Sequence, residues 1–135
     1  MTKVKIKNAI RFITELCQKF TGCNMILKGK IENRIIGDLE DIKIKQNYVG
    51  SVIFELEFPL TKHNQEYFTN HILPTIGIKN KVSEIKIYDN EETKFESYDH
   101  FDSESTFIFL DTDLEWVKML KDQSIIHSFD VIQNV

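Results

Sequence analysis

A chain of 135 residues that is 41% hydrophobic and 28% charged can bury one core and is too apolar to remain a disordered tail. No apolar run approaches the ~20 residues that cross a bilayer, and MTKVKIKNAIRF lacks the apolar segment and cleavage site of a signal peptide. The expectation is therefore a single cytoplasmic domain over residues 1–135, with no membrane contact. The net charge of −4 conceals a segregation: residues 1–34 sum to +6 and the rest to −10, with ten acids and one base, Lys94, between 89 and 115.

Ile6, Ala9, Ile10, Ile13, Leu16, Cys17 and Phe20 recur at three and four residues, the spacing of one helical face. That spacing predicts a helix over about 3–20, with Lys5, Lys7, Arg11 and Lys19 on the wet side and Gly22 as its stop. The period then becomes two. NMILKGKIE places Met25, Leu27 and Ile31 on one side, LEDIKIK repeats the pattern through Ile42 and Ile44, and GSVIFELEF turns Val52, Phe54, Leu56 and Phe58 inward with Glu55 and Glu57 outward. Such alternation marks an antiparallel sheet packed on one face and wet on the other.

Pro59 ends that run, and Leu60-Thr61 reads as a staple residue and N-cap for a second helix with Phe68, Ile72 and Ile76 inward. Pro74 should kink or shorten its last turn. VSEIKIY is a strand, DNEET a turn and KFESY the returning strand, while STFIFL is apolar on both faces and so belongs inside the sheet. A third helix over about 113–122 uses Leu114, Val117 and Leu120, and IIHSFDVI closes the chain as a strand with His127 inward beside Ile125, Phe129 and Val131. The fold class is α+β: a single domain with a mainly antiparallel, twisted sheet of about six to seven strands and about three helices, in the order αβββαβββαβ.

Candidate chemistry is sparse. FIFLDTD resembles the nucleophile motif of haloacid-dehalogenase phosphatases, which would make Asp111 the nucleophile and Asp113 the proton carrier. Leu114 stands where that motif continues with Gly or Thr, and the twenty-two residues after Asp113 leave no room for the family's later lysine and acids. The same letters describe a helix start, with Asp111 or Thr112 as cap and Glu115 closing a box from Thr112. Asp99, Asp102 and Glu104, with His100, could supply hard oxygen ligands for Mg²⁺ or Ca²⁺, but the spacing is not that of a calcium loop. His63 and His71 are two helical turns apart, Cys17 and Cys23 form no CxxC, and no glycine-rich phosphate loop is present. No cofactor and no metal are expected.

An acidic segment containing aromatics points instead to protein binding. Glu91, Glu92, Glu96, Tyr98, Asp99, Phe101, Asp102 and Glu104 are the expected contact residues: carboxylates speed the encounter with a basic partner, and aromatics supply the anchors. A nuclease or toxin is such a partner, and the chain's size and acidity are similar to those of bacterial immunity proteins and phage inhibitors, without a shared motif. Scarce alanine and arginine beside abundant isoleucine, lysine and asparagine fit an AT-rich bacterial or phage genome. Direct nucleic-acid binding is not expected, because the lysines of the first helix lack interleaved aromatics. The alternatives are a metal-dependent phosphohydrolase or nuclease using Asp99, Asp102, Asp111 and Asp113, and a structural homo-oligomer subunit whose two charged poles pair head to tail.

Overall fold

The first residues form a strand, where the apolar spacing predicted a helix. In the computed structural model of the protein, which describes residues 1–46, 52–77, 81–98, 101–102, 104–109 and 113–132, β1 spans Thr2–Ile6 and α1 only Ala9–Lys19. TKVKI alternates as well as it spirals, and Ile6 satisfies both periods. The pairing available from two other strands decides the matter, since β1 lies between β7 (Thr106–Ile108) and β8 (Ile126–Val131). Asn8 then caps α1, its side chain accepting the Arg11 N–H at 3.1 Å. Ile10, expected inward, is exposed.

The remaining elements follow the expected order. They are β2 (Asn24–Glu32), β3 (Lys43–Gln46), β4 (Val52–Pro59), α2 (Lys62–Tyr67), β5 (Lys81–Asp89), β6 (Glu92–Ser97), β7, α3 (Leu114–Asp122) and β8. Thr61 caps α2 by accepting the Asn64 N–H. Beyond Tyr67 the helix loosens into a π-helical stretch, Phe68–Ile72, and tightens into a 3-10 turn, Leu73–Thr75. Pro74 sits in that turn, and its missing N–H cannot continue an α-helical ladder.

Among the described residues there are eight strands, one more than the upper expectation, and they form one sheet in the order β3-β4-β2-β5-β6-β7-β1-β8, with every neighbouring pair antiparallel. The chain must therefore cross from β1, seventh in the sheet, to β2, third. Helix α1 makes that crossing over the strands between them. Its Phe12 ring packs on Phe95 of β6 with centroids 5.7 Å apart. One apolar cluster joins Phe12, Ile13, Leu16 and Cys17 of α1, Phe68 and Ile72 after α2, and Val117 and Leu120 of α3 to one face of the sheet. Among the described residues, α1, α2 and α3 all lie on that face.

Two bulges revise the inward residues. Lys45 pairs Glu55 but Gln46 pairs Ile53, so Phe54 is the extra residue on β4. Ile53 takes the buried position and Phe54 is half-buried, reversing the expectation for Val52 and Phe54. In β8, Lys5 pairs Ser128 and Ile6 pairs Ile126, which leaves His127 out of register and exposed rather than in the core. On β2, a Cβ at Gly29 would lie 1.9 Å from the Lys81 carbonyl oxygen, so only glycine admits this approach of β5. Among the described residues no helix is long and apolar enough to cross a membrane.

Candidate binding face of the sheet

Directly opposed residues in an antiparallel sheet share a face, and here one row can be followed across all eight strands. It runs Lys43, Glu57, Ile26, Lys86, Glu96, Phe107, Lys3, Asp130, from β3 to β8. The next row begins Lys45, Glu55, Lys28, Glu84. These side chains point away from the helices, and most are half-buried rather than covered.

Their charges alternate. Lys45 approaches Glu55 at 3.2 Å, Lys28 bridges Glu55 and Glu84 at 3.7 and 3.8 Å, Lys43 meets Glu57 at 3.7 Å, and Lys86 meets Glu96 at 3.9 Å. The carboxylates are the fixed members: Glu57, Glu55, Glu84 and Glu96 are only 17–24% exposed, whereas Lys43 and Lys45 are 81% exposed. A short side chain on a strand is held by its neighbours, while a lysine keeps its ammonium in water.

Aromatics are set among these acids. Burial pushes the Tyr98 hydroxyl above its ordinary pKa, and the neighbouring Glu96 and Glu84 carboxylates add to the shift. Tyr88 is raised in the same direction, first by burial and then by its hydrogen bond to Glu57. Both phenols thus stay protonated through neutral pH and serve as donors.

The expected contact residues do not form one patch. Glu96 and Tyr98 belong to the open face. Glu91 and Glu92 lie at the β5–β6 turn, at one end of β6, where Glu92 takes Lys94 at 3.2 Å. Phe101, Asp102 and Glu104 lie in the β6–β7 connection at its other end. There Phe101 is half-buried against the core on the helix side, with a φ of 66°. Asp102 accepts the Glu104 N–H at 2.8 Å, and its carbonyl accepts the Thr106 hydroxyl. Glu104 pairs with Lys3 at 2.9 Å, which raises the lysine's pKa through that hydrogen bond. Asp99 lies outside the described residues.

Helix α3 answers the question raised by FIFLDTD for its second aspartate. Asp113, not Thr112, is the N-cap; its carboxylate accepts the Trp116 N–H at 3.2 Å and the ammonium of Lys19 at the end of α1. The Lys19 hydrogen bond, followed by that of the Trp116 backbone, holds its carboxyl below the usual range. Asp111 and Thr112 lie outside the described residues. Among the described residues no three His, Cys, Asp or Glu side chains converge as metal ligands. His63 is engaged at the Asp38 carbonyl and His71 stacks on Tyr67.

No protein-family model matches the chain, and neither a curated protein nor a solved structure shows significant similarity to it.

Glu57, Glu84, Lys86, Tyr88 and Phe107 were absent from the expected contact residues. Their signal was present in the outward positions of each strand, but charge counted along the chain does not register residues that meet only across a sheet.

Proposed function

We propose that this protein is a binding module that holds a basic protein partner on the open face of its sheet, in the manner of an inhibitor covering a nuclease or toxin. The observation that supports this reading is the placement of Tyr98 beside Glu84 and Glu96 on the face of the sheet opposite the described helices, with Phe107 opposite Glu96. An aromatic ring flanked by sheltered, pre-oriented carboxylates suits an arginine or lysine side chain, which can lie on the ring and hydrogen-bond the acids. Arginine is favoured, since its planar fork meets a carboxylate with two hydrogen bonds.

Affinity capture from the native host, followed by kinetics with the purified captured protein, tests the reading. A basic partner is expected to associate more slowly as salt rises and when Glu84 and Glu96 are both changed to Gln, whereas Tyr98→Ala should mainly speed dissociation. Glu91→Gln with Glu92→Gln, at the end of β6, should change the rates little. Unchanged binding in the Glu84/Glu96 double variant and in Tyr98→Ala would remove the face from consideration.

A further inference from the structure

The two edges of the sheet are not equivalent. Strand β3 is four residues long and carries Lys43 and Lys45, features that discourage edge-to-edge pairing. Strand β8 is six residues long, IHSFDV, and holds neither lysine nor proline. Its residues 127, 128, 130 and 131 are exposed, and Val131 is 49% exposed.

The hydrogen-bond phase of β8 follows from its last pair. The Met1 ammonium donates to the Ile132 carbonyl at 3.3 Å, and the Ile132 N–H donates to the Met1 carbonyl at 2.8 Å. Residues that exchange bonds with the neighbour alternate with residues that point away. Asp130 and Ser128, opposite Lys3 and Lys5, therefore face β1. The backbone groups of Phe129 and Val131 face outward, along an edge that no other strand among the described residues covers.

We propose that β8 pairs antiparallel with β8 of a second copy, about a two-fold axis at Phe129, joining two sheets into one of sixteen strands. In that register Phe129 forms the hydrogen-bonded pair with itself, its ring on the helix side where Lys121 already lies over it. On the open face each Ser128 stands opposite the second copy's Asp130, so hydroxyl meets carboxylate. The row then reads Lys3, Asp130, then Ser128 and Lys5 of the second copy, and no like charges oppose one another. Shifting the axis to Asp130 would set two carboxylates face to face, whereas the Phe129 register sets hydroxyl against carboxylate.

The test is the mass in solution across the micromolar range by sedimentation, with three variants. Wild type is expected at twice 15.9 kDa. Ser128→Asp places a second acid against Asp130 across the seam while gaining Lys5 within its own chain, so it should run at the single mass and still unfold in one cooperative transition, at a melting temperature that no longer depends on protein concentration. Adding Asp130→Ser restores hydroxyl against carboxylate and should restore the doubled mass. Ile44→Lys, on the opposite edge, should leave the doubled mass intact. A wild type of single mass throughout would overturn the proposal. So would a dimer that survives Ser128→Asp unchanged, a double variant that stays monomeric, or a dimer lost in Ile44→Lys.

Discussion

Cys17 shows what burial alone does to one side chain. It is 1% exposed on the core side of α1, and the loss of solvent pushes its thiol up to about 12 from 9.0. Because the folded pKa is the higher one, the unfolded chain releases this proton first. The contribution to stability is full below the unfolded value and declines as pH rises through the interval up to the folded one, by about 1.4 kcal/mol per pH unit within it. Denaturation of wild type and Cys17→Ala at several alkaline pH values should show a steeper loss in wild type; parallel curves would contradict a buried thiol. Asn64 is the polar counterpart. Fully buried, it accepts the Glu40 N–H and donates to the carbonyls of Glu40 and Pro59, tying α2 to the segment before β3. Asn64→Leu is expected to cost about 1–3 kcal/mol in chemical denaturation, since it strands polar groups whose partners were fixed.

Helix α1 separates apolar residues that matter from one that does not. Ile13 is fully buried beneath it, whereas Ile10, three residues earlier on the same apparent stripe, is 54% exposed. The helix begins only after Asn8, and with Phe12 and Ile13 set on the sheet Ile10 is left at the helix margin. Ile13→Ala should lower stability by about 2–5 kcal/mol and Ile10→Ala by no more than about 0.5 kcal/mol, both measured by denaturant titration. Equal costs would mean that α1 lies differently on the sheet. Bulges in β4 and β8 have a comparable local reach: one inserted residue moves Ile53 inward and His127 outward, and pairing resumes on either side.

Across the whole molecule, the charge segregation along the chain is undone by topology. Lys3 meets Glu104, Lys19 meets Asp113 and Lys28 meets Glu84, each joining the basic first quarter to the acidic remainder. Such exposed pairs stabilise weakly, so a double-mutant cycle on Lys86 and Glu96 should give a coupling of about 0.2–1 kcal/mol that shrinks with added salt. A coupling of several kcal/mol would mean that the face is shielded from water, as it would be beneath a partner or a second copy.

The class of fold, the order of elements after the first strand, and most of the core were legible in the amino-acid pattern. Periodicity is a local property, and Met25, Leu27, Ile85, Ile87, Val117 and Leu120 follow it. The sequence showed that a side-chain cap opens α3, with Asp111 or Thr112 expected, but not that Asp113 would supply it. That TKVKI is a strand follows from its place between β7 and β8, since a short segment fitting two periods takes the conformation whose neighbours complete its hydrogen bonds. Only the sheet order decided the candidate face. Glu57, Lys86, Glu96, Phe107 and Lys3 are scattered from one end of the chain to the other, and a row of side chains exists only once the strands that carry them are laid side by side.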